Sequence, residues 1–494
     1  MERRLLFYND SRHFYMYCYD PPIRIEDVQA PVDEVAGTGV DTLVYGSGPG
    51  STVFHHTKVG EIWGERFSDF DALYAYQATE NIRSLIAQGL DPLQILIERA
   101  HQKNLEFFAS IRQALAGDPT IDSVFNSRFK LEHPQWCLKS GSHNFDFSHP
   151  EVRAERYAFI EETVKRYDVD GIELDWVFEP YFFEPDEIEQ NRSILTEYMQ
   201  QIRTTVDETA RAKGRTIALG ARVLPTRSGN IAAGLDVPVW LQQGLLDFVV
   251  PNFYGYHDLD ADFPFEWLVE LTRPSGCKVY PALQSRIQGD DPALQSRVNS
   301  LGEYPADRHH YYAGAAAYWA KGADGIYLPW FRYPHGSHHQ LLSEIHDPDL
   351  LPEKPKHYVV RRHADAAAQH GYSAPLPLPL QTGSKTPGQS VPFYLADDFQ
   401  RAQAILKLRL AGLSPKDSMT VSLNGRPLPA PHRRQPYRYS YVWLTYHLSQ
   451  DALRSGHNEV AVAIHSRPPR LVGQVALESV EILVDHPGVM PEAE

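Results

Sequence analysis

Cysteine is scarce: three residues, Cys18, Cys137 and Cys277, are scattered through 494 positions. That is too few for a disulfide framework or a zinc cluster. No apolar run approaches the roughly 18 residues that span a bilayer, so a membrane partner is not expected. The opening Met1-Glu2-Arg3-Arg4, followed by Leu5-Leu6-Phe7-Tyr8 and polar Asn9-Asp10, lacks the signal-peptide pattern. The expectation is a cytoplasmic protein, or a secreted or periplasmic one whose leader has been removed. Basic charge is also short: 47 Lys and Arg stand against 63 Asp and Glu, a net charge of −16. A nucleic-acid binder needs a basic face to neutralise phosphates, so the balance argues against a general nucleic-acid binder. The deficit is uneven, since residues 401–494 hold eleven Lys or Arg against eight Asp or Glu.

Two further absences concern catalysis. The adjacent pairs His55-His56, His309-His310 and His338-His339 lack the i, i+4 spacing of helical zinc sites and read as solvated loop histidines. No metal and no cofactor are expected. Gly46-Ser47-Gly48-Pro49-Gly50 is not followed by the Lys-Ser/Thr of a phosphate loop, and no Gly-x-Ser-x-Gly elbow occurs.

What the sequence does have is an alternation of short apolar runs with amphipathic stretches up to about residue 350. This predicts repeated βα units and a parallel sheet. Candidate strands lie at 5–8, 42–45, 106–111, 171–176, 216–223, 248–253, 278–283 and 325–328. Eight in some 330 residues match a (β/α)8 TIM barrel with insertions. Four of them come after a similar turn, in "TGVDTLVYG", "YDVDGIELD", "QGLLDFVVP" and "KGADGIYLP". From Glu353 the texture changes to a Pro-, Ser- and Gly-rich connector, with residues 357–362 as a candidate first strand of a C-terminal domain. After the connector, period-two segments such as "AILKLRLAGL" and "NEVAVAIHS" read as an all-β sandwich. The predicted organisation is α/β: a (β/α)8 catalytic barrel over 1–352, a connector over 353–392 and a jelly-roll β-sandwich over 393–494.

In such a barrel, chemistry gathers at the C-terminal ends of the strands. On the fourth strand Gly171, Glu173 and Asp175 share one parity. If Gly171 faces the axis, two carboxylates line the interior one pleat apart. Neighbouring desolvated carboxyls tend to split their proton affinities, as glycosidic-bond chemistry requires. The plainer alternative is that Glu173 pairs with an arginine and only stabilises the barrel.

"YDVDGIELDW" resembles the fourth-strand signature of the glycosyl-hydrolase-like family 10 barrels, and more distantly the family-18 chitinase motif Asp-Gly-x-Asp-x-Asp-x-Glu. "VVPNFYGYHD" and "GIYLPW" are similar to the chitinase-like layout at the sixth and eighth strands. The resemblance implies a glycoside hydrolase. Family-18 enzymes carry their acid where this chain has Val177, so another group must serve. Glu179 is the first candidate because it keeps the inward parity; Glu184, Asp186, His257 and Asp258 are the others. The C-terminal segments resemble galactose-binding-like jelly rolls, which either bind carbohydrate or brace the enzyme.

Four strands finish on an arginine: Arg112, Arg222, Arg286 and Arg332. Guanidinium groups bind carboxylate and sulfate in bidentate fashion, and four exceed what two or three acids would neutralise. The expected partner is therefore a carbohydrate, uronate- or sulfate-bearing. Its expected binding residues are these arginines with Asn252, Tyr254, His257, Gln284 and Trp330. Asp175, Glu173 and Glu179 are the expected catalytic groups. Two other functions fit: a polysaccharide lyase with Tyr254 or His257 as base, and a catalytically silent glycan-binding barrel.

Overall fold

The structure is a computed structural model. It describes residues 4–10, 15–48, 51–141, 143–253, 258–288, 303–329, 331, 334–383 and 388–486. The chain divides into two compact units. One comprises Met1–Gly255, Pro264–Ala282 and Ala323–His346; the other comprises Tyr256–Phe263, Leu283–Gly322 and Asp347–Glu494.

The first unit is a parallel barrel. Its strands are β1 (Arg4–Asn9), β2 (Thr42–Gly46), β3 (Glu106–Arg112), β4 (Gly171–Asp175), β5 (Ala218–Val223), β6 (Phe248–Pro251), β7 (Lys278–Val279) and β8 (Gly325–Leu328). They pair in the order β8-β1-β2-β3-β4-β5-β6-β7. The ring closes where Asp324 N donates to Val279 O (3.0 Å) and Tyr327 N to Pro281 O (3.1 Å). All eight strands expected from the sequence are present. The seventh is shorter than expected, because Pro281 has no N–H to give the ladder.

The four recurrent turns share one device. Asp41, Asp170, Asp247 and Asp324 precede β2, β4, β6 and β8. Each carboxylate accepts the N–H of a residue at or near the start of the preceding strand: Leu5, Phe107, Leu219 and Val279, at 2.7–3.0 Å. Odd and even strands are thus locked in pairs at the N-terminal end of the barrel.

The lumen is packed with Leu6, Tyr8, Val44, Phe108, Phe248, Val250, Tyr280 and Tyr327. Two glycines make room for the aromatic rings. A Cβ on Gly171 would come within 2.8 Å of the Phe108 ring, and one on Gly220 within 2.1 Å of Phe248. The two rings stack at 5.3 Å. Gly171 therefore faces the axis, which fixes the parity of β4.

The second unit carries a small antiparallel pair, Arg286–Gln288 with Glu303–Pro305, and an antiparallel two-sheet structure. The strands of the two sheets are β9 (Lys356–Val359), β10 (Leu378–Leu380), β11 (Gln389–Leu395), β12 (Gln403–Ala411), β13 (Ser418–Leu423), β14 (Arg426–Pro427), β15 (Arg433–Tyr437), β16 (Tyr441–Leu448), β17 (Gly456–Ser466) and β18 (Val475–Asp485). One sheet runs β9-β18-β12-β16-β15 with β10 also on β18; the other runs β11-β17-β13-β14. Alternate residues such as Leu406, Leu408, Val460, Val462 and Ile464 are buried, as a two-layer core requires. The Pro-rich connector is not merely extended, since it supplies β10 and the start of β11. Residues 283–322, read from the sequence as part of the barrel segment, group with this unit; they include a helix, Arg308–Ala320.

Candidate active site

Register places Arg112 opposite Asp175 and Asp175 opposite Arg222, so β3, β4 and β5 contribute one level of a charged layer. One pleat below, Ser110, Glu173 and Gly220 are aligned in the same way. Asp10 lies just past β1 and is also buried.

Glu173 is fully buried and heavily bonded. Its Oε1 accepts from Arg222 (2.5 Å), Ser110 Oγ (2.7 Å) and Tyr327 OH (3.2 Å). Arg222 is buried too, with its guanidinium 4.1 Å over the Tyr8 ring and 3.4 Å from Asp175 Oδ2. Burial alone would lower the Arg222 guanidinium, but the Asp175 and Glu173 carboxylates outweigh it and hold the group well above its ordinary value. Burial, with Asp10 adding to it, likewise keeps the Tyr8 phenol protonated far above its usual range. Arg112 donates to Asp10 Oδ2 at 3.1 Å, lies 3.8 Å from Asp175 Oδ2 and covers the Phe178 ring at 3.8 Å.

Asp175 differs from Glu173 in how it is used. Its Oδ1 accepts the backbone N–H groups of Val177 and Phe178, at 3.0 and 3.2 Å, and so folds the chain back just beyond the strand. Its Oδ2 faces the two guanidinium groups and makes no hydrogen bond. The turn delivers Glu179, whose φ of 99° is unusual for a residue other than glycine. Such strain persists where the surroundings over-determine it, often at functional sites. Asn144 helps by donating to Glu179 O at 3.0 Å. Glu179 Oε2 is buried and unbonded. Burial pushes its carboxyl up, with Lys130 and Arg112 pulling against it. Lys130 itself is pushed down to about 8 by burial.

Arg112 and Arg222, expected as substrate readers, are instead enclosed: they are 4% and 1% exposed and pair with Asp10, Glu173 and Asp175. Three carboxylates against two guanidiniums leave no surplus positive charge in this layer. Asn252 is buried just beyond β6. Asp258, Gln284 and Arg286 belong to the second unit, where Arg286 begins a short strand bridged to Asp258. Glu184, offered as an alternative acid, is tied to the backbone N–H of Lys139. Tyr254, His257, Trp330 and Arg332 lie outside the described residues. The solvated-histidine expectation needs correcting at two positions. His55 is buried, which drives its pKa down to about 4, and buried His310 closes a capping box with Asp307. No group of three or more metal-ligating side chains occurs among the described residues, and no described helix is long and apolar enough to cross a membrane.

Four contributors escaped the sequence reading: Tyr8, Asp10, Ser110 and Tyr327. The signal for three of them was present. Alternation along β1 puts Leu6, Tyr8 and Asp10 on one face, as it puts Ser110 and Arg112 together on β3.

Residues 62–210 match the glycosyl hydrolase-like 10 family. The "YDVDGIELDW" signature lies inside that stretch. Among curated proteins the chain is 24% identical over 275 residues to the glycosyl hydrolase YngK of Bacillus subtilis, covering 48% of this chain and 51% of that protein. It is 23% identical over 292 residues to the glycosyl hydrolase DigH of Escherichia coli K12, covering 50% and 63%. The chain thus spans about half to two thirds of these relatives. Among solved structures, an α-L-fucosidase isoenzyme 2 from Paenibacillus thiaminolyticus aligns with a TM-score of 0.42 at 14% identity, over 70% of this chain and 49% of that one.

Proposed function

We propose that the barrel hydrolyses glycosidic bonds of an oligo- or polysaccharide. The observation that carries this reading is the contrast between two carboxyl groups four residues apart. Asp175 lies between two guanidiniums that compensate its negative charge. Glu179 is half-buried on a strained turn, with an unbonded carboxyl oxygen and a raised affinity for its proton. Opposed environments of this kind assign the two roles of glycoside hydrolysis. Glu179 gives its proton to the glycosidic oxygen as the C–O bond breaks. Asp175, itself 0% exposed in the charged layer, is the group we assign to stabilise the developing positive charge at the anomeric carbon, as nucleophile or as the base that activates water. Glu173 acts through Arg222 and is a positioning residue. The relatives named glycosyl hydrolases support the same reaction class.

The anionic-substrate expectation is left with Arg286 and Arg332, because Arg112 and Arg222 are neutralised internally. Comparing a uronate glycan with its carboxyl-reduced form tests it: faster turnover of the charged form supports it, and equal turnover removes it. One observation favours a barrel that binds glycan without turnover. Val177 stands, buried, where family-18 chitinases carry their acid. Measuring reducing ends released by the wild type, Asp175→Asn and Glu179→Gln decides between the two readings.

A further inference from the structure

Three segments of the second unit meet at one end of its sheets: the turn after β12, the turn between β15 and β16, and the loop between β17 and β18. Gly412 joins them. Its N–H donates to Ser440 O at 2.8 Å, and its carbonyl accepts from Arg467 Nη2 at 2.6 Å. Arg467 Nη1 in turn donates to Gly473 O. A Cβ at position 412 would lie 2.8 Å from Gln474 O, so only glycine allows this close approach. Large apolar side chains project from two of the joined segments. Tyr439 and Val472 are 106% and 95% exposed, as open to water as in an extended peptide, and Leu471 is 40% exposed.

The charge around these tips is of one sign. Residues 412–417, 433–440 and 466–474 hold Lys416, Arg433, Arg434, Arg438, Arg467 and Arg470 against a single acid, Asp417. Asp417 is spent internally: its side chain is buried, with Oδ1 3.1 Å from Arg467 and Oδ2 accepting the Ser414 N–H at 2.7 Å. Lys416, Arg433 and Arg470 are exposed and make no ion pair among the described residues. Apolar tips ringed by cations match the polarity of an anionic lipid surface. Headgroup phosphates pair with the cations while the tyrosine and the aliphatic side chains enter the acyl boundary. A soluble polyanion would use the cations and leave Leu471 and Val472 in water. We propose that this end of the second unit docks on the surface of an anionic lipid bilayer. The expectation of no membrane partner rested on spanning runs, which a surface contact does not need. This docking goes beyond glycan hydrolysis by the barrel and does not depend on it.

The test mixes the full chain with sedimentable vesicles of phosphatidylcholine alone and of equimolar phosphatidylcholine and phosphatidylglycerol, at low and high salt. The chain is expected to pellet with the anionic vesicles and not with the neutral ones, and salt should weaken the binding. Tyr439→Ser combined with Val472→Ser, and separately Arg470→Glu, should each lower affinity for the anionic vesicles by about fivefold or more. Both variants should keep the wild-type Tm, since all three side chains are exposed. No binding to anionic vesicles, or equal binding to neutral ones, would overturn the proposal. So would loss with Arg470→Glu alone, which means that cations hold any polyanion, or with the tip variant alone, which means that charge does not select the surface. Reducing-end release in solution is measured on the same proteins and should match wild type, so failure of hydrolysis and failure of docking remain distinct.

Discussion

Glu173 and Asp175 are two residues apart on one strand and do different work. Glu173 sits under three donors, one of them a buried arginine. Glu173→Gln removes the carboxylate that Arg222 hydrogen-bonds, leaving Asp175 at 3.4 Å as its remaining counter-charge, and should cost about 3–5 kcal/mol, the usual consequence of breaking a buried ion pair from one side. Thermal or urea unfolding checks this. Asp175→Asn leaves Arg112 its Asp10 and Arg222 its Glu173, so it should cost less stability than Glu173→Gln while abolishing turnover. A larger stability loss for Asp175→Asn would reverse the roles. Glu179 supplies the pH test. Burial raises its carboxyl, and an acid works only while protonated, so kcat should fall as pH rises through that raised value. Glu179→Gln should remove this alkaline limb and lower kcat by about 10²–10⁴. The inward parity of 173 and 175 was legible because alternation along a strand is strict. The enclosure of the arginines was not, because pairing with Asp10 joins residues 102 positions apart.

Among elements, the barrel strands were legible from apolar runs and the recurrent turn. What the turn's aspartate does was not, because its acceptor role appears only when neighbouring strands are assembled. Asp247→Ala removes the bond to Leu219 N and should destabilise by about 1–3 kcal/mol, measurable by denaturant unfolding. Gly220 shows the same dependence on neighbours. Gly220→Ala would drive a methyl into the Phe248 ring and should lower stability by about 1–3 kcal/mol, with some loss of activity as the layer carrying Glu173 shifts. The helix Ile25–Asp33 ends on Glu34, whose carboxyl has an unbonded buried oxygen and is raised by burial to about 8. A carboxyl that holds its proton longer in the folded state contributes stability below its unfolded value and loses it as pH rises through the folded one. Glu34→Gln should flatten the decline in Tm between about pH 4.5 and 8 and melt higher than wild type at about pH 9.

For the whole molecule, composition marked the change from α/β to all-β, and the structure carries both patterns. The strand-end arginines shaped an expectation the assembled site narrows: Arg112 and Arg222 are matched by Asp10, Glu173 and Asp175, while Arg286 belongs to the second unit and Arg332 lies outside the described residues. Charge counted by strand ends overlooks residues that reach the site from just past another strand. The glycan-acting reading does not depend on a surplus of arginines, since it rests on Asp175 and Glu179. Its most direct test incubates the full chain, and Asp175→Asn in parallel, with a panel of neutral and anionic polysaccharides. Saturated reducing ends and ultraviolet-absorbing unsaturated ends are measured together. The account predicts saturated ends from at least one polysaccharide with the wild type and none with Asp175→Asn. Unsaturated ends, no products from any polysaccharide, or equal release by the two proteins would contradict it.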